Sequence, residues 1–297
     1  MPKIAYQQCA FKKSTLEVIY AVNEIIDEFQ DQGYQLTIRQ LYYQLVSRSI
    51  ITNTVYNYNN ISTLVNNGRS AGLIDWHAVV DQTRHLRRTL HCESASDLIE
   101  KAMGSMVIDK WAYQPYYLEV WVQKDTLMGL VQRICSRWDV PCFSCRGYVS
   151  QSEIWAAAMR IISTERQVVI FHLGDHDPIG LDMSRDIFER LGQFGANPIF
   201  KRLALNSNQI EEYKPLQHPI KVTDSKYHEY IRRYGDQCWE LDSLTPSVLT
   251  GLIQSGIDEY LDVKSFRRST DAEMSEKAFI AKLATHLDDV KQYLDTK

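Results

Sequence analysis

The chain has 297 residues, of which 44% are hydrophobic and 24% charged, and its 33 basic and 37 acidic side chains leave a formal charge of −4. That length allows two domains with separate cores, and that composition excludes a disordered chain. No apolar run is long enough to span a bilayer and Met1 to Gln7 lack a signal-peptide core, so a cytoplasmic protein without membrane contact is expected. The charge also speaks against a generally basic surface. Residues 1–110 carry eleven basic and eleven acidic side chains, so any basic patch is local, with Arg69, Arg84, Arg87 and Arg88 or Lys201 and Arg202 as candidates.

In chain order, Ser14-Thr15-Leu16-Glu17 has the form of a capping box, and Leu16, Ile19, Tyr20 and Ile26 follow on one face, which predicts a helix over 15–31 ended by Gly33. Thr37 is placed to cap a second helix, with Ile38, Leu41, Tyr42 and Leu45 along its apolar stripe. A third helix is expected over 56–66, stopping in a left-handed cap at Asn67-Gly68. These helices, followed by Arg69 to Trp76 as a wing, resemble a winged helix-turn-helix, which is usually a DNA reader. A linker is expected within 92–116, where Gly104 and Tyr113-Gln114-Pro115 interrupt the pattern. From Tyr116 the period changes: strands near 117–122, 140–144, 167–173 and 198–205 alternate with helices near 124–137, 151–164 and 179–192. Such a succession predicts a parallel sheet. A last helix is expected over 273–294. The chain thus divides into a first domain over 1–105 and a second over 106–297 with a C-terminal extension.

The run Val168 to Leu173 ends in Gly174-Asp175-His176-Asp177-Pro178-Ile179-Gly180. A buried parallel strand delivers such carboxylates to the sheet edge where ligands collect, and two converging acidic oxygens suit a hard cation such as Mg²⁺. Taken alone, the pair reads equally well as caps for the following helix. Among the six cysteines, Cys142-Phe143-Ser144-Cys145 is a single pair without two further ligands, so free thiols are expected rather than zinc. In the second helix Tyr43 is rotated away from the apolar stripe and lies four residues from Arg39, which sets guanidinium and phenol side by side. A tyrosine that attacks a phosphodiester needs such a cation, although Tyr42-Tyr43 in a helix is by itself more often packing.

The strand ending Glu119-Val120-Trp121-Val122-Gln123-Lys124-Asp125, with Gly174-Asp175-His176-Asp177-Pro178 after the third strand, resembles a Toprim domain, the Rossmann-like metal-binding module of topoisomerases, primases and related nucleases. That module sets a Glu after its first strand, where this chain has Gln123. An amide still offers an oxygen, but it neither takes nor gives a carboxyl proton and it removes a charge that helps hold the metal. It is also the change that silences a carboxyl while keeping its shape. Glu119 is about 13 Å away along the strand and a poor substitute, and Glu153 is the more plausible spare carboxylate, though a surface glutamate by preference.

A winged helix with Arg39-x-x-Tyr42-Tyr43, then a Toprim module, then Pro219 to Asp224, Tyr230, Tyr234-Gly235 and Trp239-Glu240-Leu241-Asp242-Ser243-Leu244-Thr245-Pro246, resembles the A subunit of topoisomerase VI and the meiotic double-strand-break protein. The likeness spans roughly 14–262, and the compact length suits the mini-A relatives of plasmids, phages and bacteria. It implies an α/β protein with an N-terminal winged-helix (CAP-like) domain and a Toprim domain, in which Tyr43 is the nucleophile, Arg39 its helper, and Asp175, Asp177 and Gln123 hold Mg²⁺ or Mn²⁺. It further implies duplex DNA as substrate and a homodimer in which the tyrosine of one chain meets the metal of the other. With no Gly-x-x-x-x-Gly-Lys-Ser/Thr loop here, ATP dependence would belong to a separate ATPase subunit. Two alternatives stand beside this reading: a hydrolytic Toprim nuclease of a defence or plasmid-control system, and a catalytically silent DNA-binding protein.

Overall fold

A computed structural model describes residues 3–79, 91–220 and 226–287, together with 293 and 296. The N-terminal part comprises α1 (Lys13–Asp31), α2 (Ile38–Ser47) and α3 (Val55–Ser70). Their apolar faces meet in one cluster: Ile19, Val22, Ile26 and Phe29 of α1, Leu41, Tyr42 and Leu45 of α2, and Ile61 and Val65 of α3. Complete burial of side chains such as Leu41 or Val65 contributes about 1.5–3 kcal/mol each. Thr37 caps α2 as expected, in a full capping box with Gln40.

Three local expectations differ. Helix α1 starts one residue before Ser14, so that hydroxyl lies inside the helix and no side chain caps the N-terminus at Lys12. Helix α3 does not stop at Asn67-Gly68 but runs on to Ser70, and the left-handed residue is Gly72, at φ +72°. Gly68 is needed for packing rather than for a turn, because a Cβ there would stand 2.7 Å from Ile74 Cδ1. The expected wing over Arg69 to Trp76 closes as turns, tied to the N-terminal segment by an Ala5–Ala71 bridge and forming no hairpin. Residues Arg84, Arg87 and Arg88 lie outside the described residues.

The expected linker contains α4 (Ala95–Ser105), capped by Ser94, with Gly104 inside its last turn. Then follow β1 (Tyr116–Val122), a 3₁₀ turn at Asp125–Leu127, α5 (Met128–Arg137), β2 (Cys142–Ser144), α6 (Gln151–Ser163), β3 (Gln167–Leu173), α7 (Pro178–Gln193) and β4 (Ile199–Ala204). The four strands form a parallel sheet in the order β2-β1-β3-β4. One face is covered by α5, with Leu130, Val131 and Ile134 against Val120, Val122 and Phe171. The other is covered by α6 and α7, with Ile154, Ile161, Met183 and Ile187 around Trp121, Val168 and Ile170. Because β1 leads outward to β2 while β3 leads outward to β4, the connections diverge between β1 and β3. That is the topological switch point, where a crevice opens at the carboxyl ends of the strands.

Downstream lie α8 (Ser207–Tyr213), β5 (Gln217–Pro219), α9 (Tyr227–Tyr234), β6 (Gln237–Trp239), α10 (Pro246–Tyr260) and α11 (Val263–Thr285). Strands β5 and β6 pair antiparallel, and α10 completes the α5 side of the sheet through Leu249, Ile253 and Ile257. Helix α11 begins ten residues before the expected start of the last helix, capped by the Asp262 side chain. The N-terminal helices touch the sheet unit where Tyr34 bonds Thr250 and Arg133 bonds the Gly33 carbonyl. No described helix is long and apolar enough to cross a membrane.

Candidate functional site

Strand pairing assembles the site at the switch point. Gln123 continues the β1–β3 ladder by donating its N–H to Leu173 O at 2.8 Å, which sets its side chain beside the turn after β3. Its carbonyl accepts from Asp175 N at 2.8 Å and its amide donates to Asp175 Oδ2 at 3.3 Å. The other Asp175 oxygen accepts from Leu241 N at 2.7 Å and faces Lys124 Nζ at 3.1 Å. Burial pushes Asp175 up to about 6, against the pull of Lys124 and the Leu241 N–H. Asp177 serves as N-cap of α7, accepting from Gly180 N at 2.5 Å. The two aspartates therefore part company: one turns into the crevice, the other into its own helix.

Arg202 holds this acidic turn from below. It is half-buried, donating to the carbonyls of Gly174, Asp175, Gly180 and Leu205 and to Ser184 Oγ, and desolvation lowers it to about 10. With Lys201 paired to Glu259 at 2.5 Å on the opposite face of β4, the expected Lys201-Arg202 patch is not a surface patch. Arg69 likewise turns inward, to the carbonyls of Trp76 and Val79.

The downstream segment supplies residues that the strand motifs did not reveal. His176 and Trp239 exchange backbone hydrogen bonds of 2.9 and 3.0 Å, and the His176 ring meets Tyr230 Oη at 2.7 Å. This anchors β6 so that the residues after it, Glu240 and Asp242, lie over Asp175. Lys124 Nζ is 2.7 Å from Glu240 Oε2 and 2.8 Å from Asp242 Oδ2, so one ammonium faces three carboxylates. Asp242 is fully buried and also accepts from Thr126 at 3.1 Å. Burial would lower the Lys124 pKa, but Asp175, Asp242 and Glu240 raise it above the ordinary lysine range. Burial would raise Glu240, yet Lys124 and Arg39 hold it down at about 2.

Helix α2 packs on the Leu241–Ser243 turn, and this brings Arg39 and Tyr43 into the same cluster. Arg39 pairs with Glu240 through one terminal nitrogen, which also lies 3.4 Å from the Tyr43 phenol, and its Nε reaches Asp242 at 3.5 Å. Tyr43 was expected to stand clear of the apolar stripe but is buried at 4% exposure, because α2 is covered on both sides. Burial and then Glu240 raise its pKa above the ordinary phenol range, with Arg39 opposing. Tyr42 is a packing residue, bonded to Asn53 and Thr54. An open cleft remains above the cluster, with Arg39, Gln123, Lys124, Asp125 and Arg146 in its lining.

The donors do not fit a divalent cation in this arrangement. Both Asp175 oxygens, the Gln123 carbonyl and one Asp177 oxygen are already engaged, and an ammonium fills the space between the acids. Among the described residues no group of three or more His, Cys, Asp or Glu side chains is disposed to hold a metal, and the Lys124 ammonium lies 2.7–3.1 Å from one oxygen of each acid. Glu119 does not compensate, since it is buried with Arg160 at 2.7 Å and Trp121 at 2.8 Å. Glu153 lies exposed in the first turn of α6. Cys9, Cys92, Cys135, Cys142 and Cys145 are free thiols. Neither the known protein-family models nor the curated proteins match this chain.

Proposed function

We propose that the chain cleaves duplex DNA by tyrosine transesterification, in the manner of a topoisomerase VI A subunit, with a winged-helix-like unit presenting Tyr43 to a Toprim-like sheet. The observation that carries the reading is convergence. Arg39 and Tyr43 lie far in sequence from Gln123, Lys124 and Asp175, yet Glu240 and Asp242 join both sets in one cluster at the switch point. Arg39, Lys124 and Arg146 are the cations that line the cleft, and a backbone phosphate entering it competes with Glu240 for the Arg39 fork. That competition releases the phenol. Tyr43 Oη then bonds to phosphorus while the bond to the 3′ oxygen breaks; the phenol proton passes to solvent and the departing alkoxide regains one from it. Glu240, held near 2, positions the phenol and is too weak a base to deprotonate it. Within one chain Tyr43 already meets the Asp175 cluster, so a second chain is not required to supply the tyrosine. A homodimer would instead cut one strand per protomer, and strand passage would need a separate ATPase subunit.

The burial of Tyr43 favours a second reading, a hydrolytic nuclease in which water attacks and the tyrosine is structural. End-labelled supercoiled plasmid, incubated with protein in chelator, Mg²⁺ or Mn²⁺ and analysed with and without protease, separates the two. Linear DNA that stays protein-linked and disappears with Tyr43→Phe supports transesterification. Free ends that persist in Tyr43→Phe but vanish in Asp175→Ala establish hydrolysis, and no cleavage under any condition leaves a DNA-binding protein.

A further inference from the structure

The carboxylate cluster already has a cation, and it is part of the chain. We infer that Lys124, together with the Gln123 amide, is the resident counter-charge of Asp175, Glu240 and Asp242 and closes this cluster to divalent metals. The inference stands apart from the DNA-cleaving reading, because it concerns only what neutralises the acids.

Three observations carry it. The ammonium is 2.7, 2.8 and 3.1 Å from one oxygen of each acid, so a cation entering the same space must first displace it. Asp242 has no exposed side-chain surface and Asp175 only 7%, and carboxylates so far out of water need a partner in place. Gln123 makes a two-way clamp on Asp175, accepting from its N–H and donating to its carboxylate. An ionised glutamate at 123 could accept but not donate, and it would bring two carboxylates into contact that a shared proton or a bridging cation must relieve, whereas the amide makes an N–H···O bond there without either. Two cations, Lys124 and Arg39, thus face three acids, and the Leu241 N–H supplies part of the remaining compensation.

The test removes the lysine and offers metal in its place, reading thermal unfolding with CaCl₂, MgCl₂ or MnCl₂ and no DNA. Wild-type protein should show no metal-dependent change in Tm and should leave the free Mn²⁺ electron-paramagnetic signal undiminished. Lys124→Met should melt roughly 6–15 °C lower, the usual consequence of stranding a buried ion partner in a chain of this size. At least one of the three ions should restore half or more of that loss, and Gln123→Glu with Lys124→Met should bind Mn²⁺ more tightly still. Should Lys124→Met fail to fold, Lys124→Met with Asp242→Asn, which removes one charge of each sign, takes its place and is expected to show a smaller rescue. Wild-type protein that binds Mn²⁺ as tightly as the lysine-free variant overturns the inference, as does a folded lysine-free variant that none of the ions stabilises. Failure of plasmid cleavage would count against the proposed function alone, since these melts contain no nucleic acid.

Discussion

The Arg39–Glu240 pair is the most direct link between α2 and the sheet unit, and a double-mutant cycle measures it. Two unit charges near 3 Å attract by about 5 kcal/mol at an effective dielectric of about 20. Solvent takes back much of that, since the Arg39 side chain is 36% exposed and that of Glu240 25%. The net coupling expected is about 1–2 kcal/mol. Single changes should cost more than the coupling, because each residue has another partner: Glu240→Gln also weakens Lys124, for about 2–3 kcal/mol, and Arg39→Gln also leaves Asp242 less compensated, for about 2 kcal/mol. Urea unfolding of the wild type, both singles and the double variant near pH 7 gives the cycle. Repeating it in about 0.5 M salt should reduce the coupling only in part, because both groups are half-sheltered. Removing the Glu240 charge should also bring the Tyr43 phenol down toward its ordinary range, visible in an ultraviolet pH titration. A coupling below about 0.5 kcal/mol, with an unmoved phenol, would refute the claim that Glu240 ties Arg39 and Tyr43 to the sheet.

Three further outcomes follow from individual residues. Burial lowers His172 to about 3, so between that value and the ordinary 6.5 the unfolded chain binds the extra proton. Its contribution is therefore present above pH 6.5 and lost as pH falls toward 3, on the order of 5 kcal/mol, and His172→Phe should flatten that limb of the urea stability profile. Gly180→Ala should lower Tm and any cleavage together, because the new Cβ collides with the Asp175 carbonyl that Arg202 holds; unchanged melting would mean the turn gives way freely. Glu119→Gln should cost about 2–3 kcal/mol through the loss of the Arg160 and Trp121 contacts while leaving plasmid cleavage intact, and a selective loss of cleavage would return Glu119 to the candidate ligands.

The sheet was legible because its signals are local. The run Val168 to Leu173 is buried on both faces and became β3 over the expected residues, and Thr37 met its Gln40 within the same turn. Errors arose where tertiary packing overrides a local signal. Gly68 reads as a terminator but is a contact point for Ile74, and the Ser14 box lost to a helix that begins one residue earlier. Tyr43 looked free of the stripe because a helical wheel counts one core. Helix α2 has two neighbours, and the second comes from a turn about two hundred residues later. Glu240 and Asp242 were visible as acids two apart, like Asp175 and Asp177, but no periodicity connects them to the sheet; the His176–Trp239 backbone bridge does.

The amide at 123 now has a physical context that the motif comparison lacked. Judged against a metal site, Gln123 is a missing charge, and Lys124 beside it carries no meaning. Judged within the cluster, the two belong together: the amide removes one repulsive carboxylate from the space around Asp175, and the ammonium compensates those that remain. Changing either alone should therefore upset the balance in the same sense, by one unit of negative charge. Gln123→Glu adds a negative charge and increases the demand for a cation. Lys124→Met removes the cation and leaves the acids unmatched. If the pair acts as one unit, the stability losses of the two single variants should be non-additive in the double variant without metal and shrink together when a divalent ion is supplied. Simple additivity in both conditions would separate the residues and make Gln123 a vacancy in an otherwise ordinary acidic site.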